Sequence, residues 1–512
     1  MNNGDPAWTE SGSKGGLDHL GMQLSSIRAY QDLVPGISNV TIRIRYYSLY
    51  TWLVDDHARI TGSTDREAWR RRIRRAEALY ALIGTAAGRH DGLAGTEWAS
   101  RTLPADDSLF FFANDDADDP EPKHLDAHWG AYGQAYASQM HAVGLLAQAA
   151  AHEIPIVTPD LGEPLAKAFE DAIGPAASMF RATLDAGLTR RSDLSDMRRM
   201  LPDVIEPHKG EGRLLADLLI GADDRPDEHN DRMRTCRAII AMEDDLASSL
   251  DAATFRWTAY AGRFPDGTPF ESPAILNETI RRWRCYQANE LCHVAFEAIL
   301  CRLLTVAGGV GIGMPIHDLI DRMVIEAVPD PRERREPLRN ILETGAFPIN
   351  AADPEEELSE RAHADYLMNH AIDGAATDEV VPAAVSLLGL LQRRTAGGFY
   401  GDEPFMQEVT GSSDARSLWT ERGFLLSLMD LPAGLALRML FEERVVERHA
   451  SVALGKMAQR GDYTYLFEMD EGSIRRRAGM VPVWTGPRIG NALRFLRDVG
   501  ILHSSQRETY SS

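Results

Sequence analysis

Cysteine is scarce in this chain, with four residues among 512. Three of them lie in one strongly helical stretch, at Cys285, Cys292 and Cys301, and no CxxC pair occurs. So few cysteines exclude a disulfide framework. Without a CxxC pair a structural zinc site is not expected either. The sequence therefore leads us to predict no metal site and no cofactor.

Long hydrophobic runs are also missing. The first 16 residues show no basic start followed by an apolar core, so we expect a flexible polar lead and no signal peptide. The longest apolar run, around 380–391, contains Pro382 and is too short to span a bilayer. Hydrophobic residues make up 44% and charged residues 25% of the chain, which is ordinary for a globular protein. These features favour a cytoplasmic protein without membrane contact.

Lysine is almost absent, with five residues against 49 arginines. Acidic side chains outnumber basic ones by 76 to 54, which gives a net charge of −22. This balance excludes a uniformly basic nucleic-acid coat, although it allows a local basic patch. The planar guanidinium of arginine suits phosphate and carboxylate groups. Codon usage in a GC-rich genome is the alternative explanation for the excess of arginine.

The common catalytic signatures do not occur. The chain has no GxxxxGK[ST] loop, so it is not expected to be the NTPase of a larger system. A GxSxG elbow, an HExxH helix and the protein-kinase signature set are missing as well. No single motif therefore fixes a reaction.

Helical periodicity covers most of the chain, whereas strand signals are sparse and short. The predicted fold class is mainly α, a multidomain helical protein with a candidate winged-helix-like element at its C-terminus. After the lead at 1–16, the predicted domains are an N-terminal helical domain (17–205), a central helical domain (232–345) with a long core helix at 274–306, and a C-terminal helical domain (358–512). Turn-rich segments at 202–231 and 347–357 are the predicted linkers.

Capping signals set several predicted helix boundaries. Ser38 or Asn39 is expected to cap a helix that runs to about Arg59. A capping box that begins at Thr64 is expected to open the next helix, with Gly84 at its end. Further predicted helices cover 17–33, 127–151 and 487–499, and the apolar tail at 501–502 would start the wing of a winged helix.

The segment 35–48 combines a Pro-Gly turn, a capping asparagine, arginines and paired aromatic residues. It resembles the opening signature of an uncharacterised family of helical bacterial proteins, whose genes often lie beside DNA-targeting defence and restriction genes. The resemblance covers residues 20–53 and is weaker at 283–297 and 487–502. It implies an effector or accessory subunit of an anti-phage or DNA-processing system, with other proteins of that system as partners. It implies no reaction and no site residues.

Arginine groups near both ends of the chain are candidates for contacts with nucleic acid. The candidate residues are Arg43, Arg70, Arg71, Arg74, Arg75, Arg475, Arg476, Arg488 and Arg494. A concentrated positive arc in an otherwise acidic molecule suits phosphate groups. Alternatively, the aspartates at 106–119 neutralise the group near Arg70, and Arg43 pairs with a distant carboxylate. The hypothesis thus requires guanidinium groups that are free of the chain's own carboxylates.

The predicted long helix carries a line of polar residues, namely Tyr286, Glu290, His293 and Glu297. The spacing of Glu290 and His293 is the one that carboxylate-bridged di-iron bundles use, so a metal oxidase is one alternative. The other is a buried polar network, because polar groups on a core helix must find partners. We expect Tyr47 and Tyr50 to belong to a similar buried network.

A second enzymatic alternative rests on Arg444 and His449, whose spacing resembles that of the helical HEPN ribonucleases. The competing interpretation is a charged helix end.

Our principal hypothesis is a non-catalytic accessory or scaffold component of a bacterial anti-phage defence or DNA-transaction complex. In this hypothesis arginine patches contact the nucleic acid.

Overall fold

The computed structural model describes residues 18–113, 124–148, 154–222, 230–246, 248–311, 313–343, 358–398, 403–411, 415–486 and 488–502. Within these ranges the fold is mainly α, which confirms the predicted fold class. The predicted lead at 1–16 and the predicted linker at 347–357 lie outside the described residues.

The helices in chain order are α1 (Gln23–Leu33), α2 (Arg45–Thr61), α3 (Arg66–Ala86), α4 (Thr96–Thr102), α5 (Ala137–Ala142), α6 (Gly162–Ile173), α7 (Ala176–Ala186), α8 (Arg191–Asp196), α9 (Gly210–Ile220), α10 (Asp231–Asp244), α11 (Ala252–Ala261), α12 (Asn277–Gly308), α13 (Ile316–Ala327), α14 (Leu338–Glu343), α15 (Leu358–His370), α16 (Val380–Ala396), α17 (Glu403–Thr410), α18 (Leu418–Leu428), α19 (Ala433–Phe441), α20 (Glu447–Arg460) and α21 (Ile489–Asp498). Five-residue π-helical turns, Tyr132–Tyr136 and Glu442–Val446, lead into α5 and α20.

The strands are short and pair antiparallel. They are β1 (Phe110–Phe111), β2 (Leu146–Gln148), β3 (Pro155–Val157), β4 (Leu188–Thr189), β5 (Met314–Pro315), β6 (Phe467–Asp470) and β7 (Ser473–Arg476). β1 pairs with β4 and β2 with β3, whereas β5, β7 and β6 form a three-stranded sheet in that order.

The chain divides into two compact units, each made of segments that are not contiguous in sequence. Unit 1 comprises residues 1–30, 256–271 and 280–486, and unit 2 comprises 31–255, 272–279 and 487–512. This division differs from the three consecutive domains that the linker composition suggests. One reason is that α1, α11 and α12 continue across a change of unit, so no turn-rich sequence marks it.

Unit 2 has a core in which α2 packs against α6, and α9 packs against both α6 and α10. Buried tyrosines fill much of the space between α2, α3 and the π-helical turn before α5. They are Tyr46, Tyr47, Tyr50, Tyr80, Tyr132 and Tyr136. The ring centroids of Tyr46 and Tyr136 lie 4.8 Å apart, and those of Tyr46 and Tyr80 lie 5.2 Å apart. The α2 stripe is therefore an aromatic core.

Several predicted boundaries in unit 2 are wrong. Neither Ser38 nor Asn39 caps α2, because the Ser38 amide donates to Thr41 in a separate turn and the helix starts at Arg45. The α3 cap is Asp65, which accepts from the Ala68 amide at 2.6 Å, and the helix passes Gly84. Leucines at helical spacing make α9 within the predicted linker, whereas the predicted helix at 127–151 breaks into a π-helical turn, α5 and β2.

Unit 1 is built on the long core helix α12, which was predicted at 274–306. One helix in the described ranges, 274–308 counted with its first turn, is long and apolar enough to cross a membrane, and 89% of its apolar window is buried in the protein. A buried core helix of a folded protein meets the same test of length and composition. In the same unit, α16 packs against α15, α13 and α18, and α19 packs against α13.

Among the described residues a winged-helix-like element is not seen near the C-terminus. The hairpin β6–β7 precedes α21 in sequence and belongs to unit 1, whereas α21 belongs to unit 2. In the described residues after α21 no strand forms, so the apolar tail at 501–502 does not begin a wing. Instead α21 buries Leu493, Phe495 and Leu496 in unit 2.

The Pro35-Gly36 turn leads to a first prediction. Gly36 has a φ of +82°, and an added Cβ would overlap the Val143 side chain. Gly62, at the end of α2, also has a positive φ (+59°), but nothing lies within 4 Å of its Cβ position. We expect Gly62→Ala to cost about 1 kcal/mol for the left-handed backbone alone. Gly36→Ala should cost about 1–2 kcal/mol more, because the clash adds to the same backbone strain. Equal midpoints of urea unfolding for the two variants would contradict the clash.

Candidate functional site

The arginines at positions 70–75 of α3 divide into two sets. Arg70 and Arg74 are buried and bonded within unit 2. Arg70 donates to Glu67 at 2.7 Å, and Arg74 donates to the carbonyl oxygen of Leu125 at 2.7 Å and to that of Ala127. These two guanidinium groups thus hold the chain's own oxygens and present little surface to a phosphate.

The other set lines one surface depression of about 200 Å³, which we call the α3 depression. Its wall consists of Ala68, Arg71, Arg72, Arg75, Leu184 and Asp185. Arg72 pairs with Asp56 at 2.8 Å and with Asp185 at 3.4 Å, and Arg75 donates to the Leu184 carbonyl at 3.0 Å. Arg71 is exposed and makes no hydrogen bond or ion pair within the described part of the chain. The depression therefore combines one open guanidinium with two that are anchored.

The aspartates at 106–119 are not the partners of this group where the structure describes them. Asp107 accepts from the amide of Ser192 at 2.7 Å and from its hydroxyl at 2.9 Å. Asp106 accepts from the Ser108 hydroxyl at 2.7 Å. Residues 114–119 lie outside the described ranges. Within the described residues, Glu67 pairs with Arg70, and Asp56 and Asp185 pair with Arg72.

In unit 1 the arginines of the hairpin β6–β7 also meet carboxylates. Arg475 and Arg477 both pair with Glu468 on the neighbouring strand. Hydrogen bonds from these two guanidinium groups lower the pKa of Glu468. Arg476 pairs with Asp373 at 2.6 Å. The hairpin therefore carries internal ion pairs rather than a free basic stripe.

In unit 2 a third arginine group surrounds the ends of α21. Arg43 contacts Asp498 at 2.9 Å, and burial raises the pKa of Asp498 although Arg43 opposes this shift. Arg494 lies 3.4 Å from Asp91, and Arg488 directly precedes the helix. The structure thus brings Arg43 and Arg494 into one ion-pair cluster of unit 2, where Asp91 contacts both side chains.

The polar line on α12 lies in a buried cluster of unit 1. Glu297 accepts from His293 Nε2 at 2.9 Å, from the Gln23 side chain at 3.2 Å and from the Val483 amide at 3.1 Å. Glu290 accepts from the Thr485 amide at 2.7 Å and from the Thr485 hydroxyl. Sequence spacing does not point to Gln23, Val483 or Thr485, because they come from segments distant from α12.

The ionisation of this cluster differs from that of a free histidine. Burial alone would lower the pKa of His293, but Glu297 and then Glu290 raise it to about 9. Tyr286 is buried beside Trp283, and burial raises its pKa well above the usual value. In the described ranges no group of three or more histidine, cysteine, aspartate or glutamate side chains is arranged to hold a metal ion. The geometry is that of a charged hydrogen-bond network in the core.

Arg444 and His449 are each engaged by other groups of unit 1. His449 is 1% exposed, its Nδ1 faces the His19 carbonyl at 3.1 Å, and its Nε2 accepts from the Leu466 amide at 3.0 Å. Burial lowers the pKa of His449 to about 4. Arg444 pairs with Glu421 at 2.7 Å and lies over the Phe424 ring.

Tyr47 and Tyr50 bond to separate partners in unit 2. The Tyr50 hydroxyl donates to Glu77 at 2.7 Å, and Glu77 also accepts from the amides of Ala131 and Tyr132. Burial raises the pKa of Glu77 to about 7. The Tyr47 hydroxyl donates to the carbonyl oxygen of Gly36 and thereby holds the Pro35-Gly36 turn.

Comparison of the chain with protein-family models, curated proteins and solved structures gives no match.

Proposed function

We propose that the protein is a non-catalytic accessory component of a bacterial defence or DNA-transaction assembly, and that it contacts nucleic acid through the α3 depression. The observation that carries the proposal is the exposed guanidinium of Arg71, which lines the same concave surface as Arg72 and Arg75. The resemblance of residues 20–53 to helical proteins encoded beside defence genes supplies the cellular context.

Charge and geometry support the depression over the other arginines. Arg72 is offset by Asp56 and Asp185, so the exposed Arg71 is the guanidinium of the depression that is most open to a phosphate. The carbonyl contact of Arg75 fixes its position in the same depression as Arg71. A phosphate oxygen can accept from two such guanidinium groups at once. The proposed contact is therefore small, with about two phosphates.

A non-catalytic role is supported by the state of the candidate catalytic groups. His449 uses both ring nitrogens on backbone groups, and His293 is held by Glu297 in the core of unit 1. A general acid or base must reach its substrate at hydrogen-bond distance. Neither histidine has an exposed nitrogen for that purpose.

The double variant Arg71→Glu with Arg75→Glu tests the contact. We expect its affinity for duplex DNA at low salt to fall at least about tenfold, because two phosphate contacts become repulsive. The slope of log affinity against log salt concentration should decrease in magnitude by about 2. Fluorescence anisotropy with a labelled duplex measures both quantities.

The matched control is Lys167→Glu with Arg213→Glu, which makes the same charge change at two exposed positions of unit 2. We expect the control to keep the wild-type salt slope. If both double variants weaken binding equally, or if neither does, the α3 depression is not the site of contact.

A further inference from the structure

Unit 2 contains a cavity of about 640 Å³ between α6, α9 and α10. Its lining is mostly apolar, with a few polar side chains: Val143, Leu145, Asp160, Leu161, Pro164, Leu165, Leu214, Asp217, Leu218, Gly221, Ala222, Asn230, Arg232 and Met233. This volume and composition lie in the range of small-molecule sites, which are predominantly apolar with a small number of polar groups.

The polar group of most interest in this wall is Arg232, which is only 2% exposed. Its Nε donates to the Leu218 carbonyl at 3.2 Å and its Nη1 to the Pro35 carbonyl at 3.1 Å. Among the described residues no carboxylate pairs with it, and burial lowers its pKa. By contrast, the equally buried Arg45 of the same unit has a carboxylate partner, Glu211.

A buried cation without a counter-ion is costly, since buried charges are normally paired. An anion in the cavity would supply the missing partner. The N-terminal end of α10 also lines the cavity through Asn230 and Met233, but the Asn230 side chain already accepts from the Met233 amide at 3.1 Å and Asp231 lies in the first turn, so this end adds little attraction for an anion. The buried guanidinium of Arg232 is therefore the feature of the wall that attracts an anionic group.

The remaining lining restricts the shape and charge of an occupant. Leucines from α6 and α9 form an apolar surface opposite α10. Asp160 and Asp217 lie in the same wall, and Arg213 is 3.7 Å from Asp217. These carboxylates disfavour a polyanion. A ligand with a single anionic head and an apolar body satisfies both the leucines and Arg232.

We propose that this cavity binds a small amphiphilic organic anion, with its carboxylate or phosphate head on Arg232 and its apolar body against the leucines of α6 and α9. This site is separate from the α3 depression, so the proposal does not depend on the nucleic-acid contact. The Arg232 guanidinium also holds the Pro35 carbonyl, which places the turn of the 35–48 signature next to the anionic head.

Isothermal titration calorimetry on the full chain tests the ligand class with four probes. Decanoate and decyl phosphate carry the two alternative heads, decanol lacks the charge, and inorganic phosphate lacks the apolar body. We expect at least one of the two anions to bind with one site per chain, and decanol and inorganic phosphate to bind at least tenfold more weakly. The tighter of the two anions identifies the head. If neither anion binds, or if decanol binds as tightly, the proposal is overturned.

Cavity-filling variants locate the site. Leu161 is an exposed leucine in the cavity wall, and Leu188 is an exposed leucine of unit 2 outside it. We expect Leu161→Trp to lower the affinity for the bound anion at least tenfold and Leu188→Trp to leave it unchanged, with thermal unfolding midpoints near the wild type for both. Arg232→Lys, which keeps the charge but loses the fork of donors, should bind more weakly than the wild type. Binding unaffected by Leu161→Trp would place the anion elsewhere and refute the proposal.

Discussion

Replacing Glu211 by Gln is expected to lower the free energy of unfolding by about 3–5 kcal/mol, because removing one partner of a buried ion pair leaves the other charge uncompensated. Glu211 accepts from Arg45 Nε at 3.0 Å and from Nη2 at 2.8 Å, and both side chains are buried. Arg45 also donates to the carbonyl oxygens of Arg199 and Leu201. The variant would keep these contacts but leave the guanidinium without its counter-charge.

Denaturant unfolding monitored by circular dichroism measures this effect. The control is Glu163→Gln, which removes the same charge from an exposed position of α6 and should change stability by less than about 0.5 kcal/mol. A loss below about 1 kcal/mol in Glu211→Gln would mean that water or another group replaces the carboxylate. The pair would then not fix α9 against the start of α2.

The second large effect is a dependence of stability on pH that arises from His293. Its pKa is raised to about 9 in the folded chain, against about 6.5 in an unfolded chain, so the folded state binds this proton more tightly. The resulting stabilisation is complete below pH 6.5 and is lost as the pH rises through 9. It amounts to something on the order of 3 kcal/mol, since each pKa unit corresponds to about 1.4 kcal/mol.

The measurement compares the wild type with His293→Gln in guanidinium chloride at pH 6, 7.5 and 9.5. The difference in unfolding free energy between the two proteins should shrink by about 3 kcal/mol over this range. His449→Gln is the control, because burial lowers the pKa of His449 to about 4 and keeps it neutral throughout. A difference that is the same at all three pH values would show that Glu297 does not hold a protonated histidine.

Local sequence patterns predicted the long elements of the fold well. The long stretch of α12 without a helix breaker, mostly apolar and buried in its central window, predicts its position to within a few residues. Short elements failed where several residues could serve as caps. Asp65 rather than Thr64 caps α3, and the choice depends on backbone geometry that neighbouring side chains do not specify.

The ion pairs were beyond prediction for a different reason. Arg43 pairs with Asp498, which lies hundreds of residues later in the sequence. Arg476 pairs with Asp373, which lies about a hundred residues earlier. With 49 arginines and 76 acidic residues, sequence spacing cannot select such partners. The same limit applies to Arg232. That no carboxylate in the described ranges pairs with it is visible only once α9, α10 and the Pro35-Gly36 turn are placed together.

The most direct test is the reaction of the native protein with phenylglyoxal, followed by peptide mass spectrometry. It shows whether the arginines are bonded to the chain's own oxygens. Arg71 should react rapidly, at a rate close to that in the unfolded chain. Arg45, Arg70 and Arg74 should react at least tenfold more slowly, since all three are buried and bonded. If Arg70 and Arg74 react as fast as Arg71, a broad basic face stands open on α3, which contradicts a contact confined to the depression.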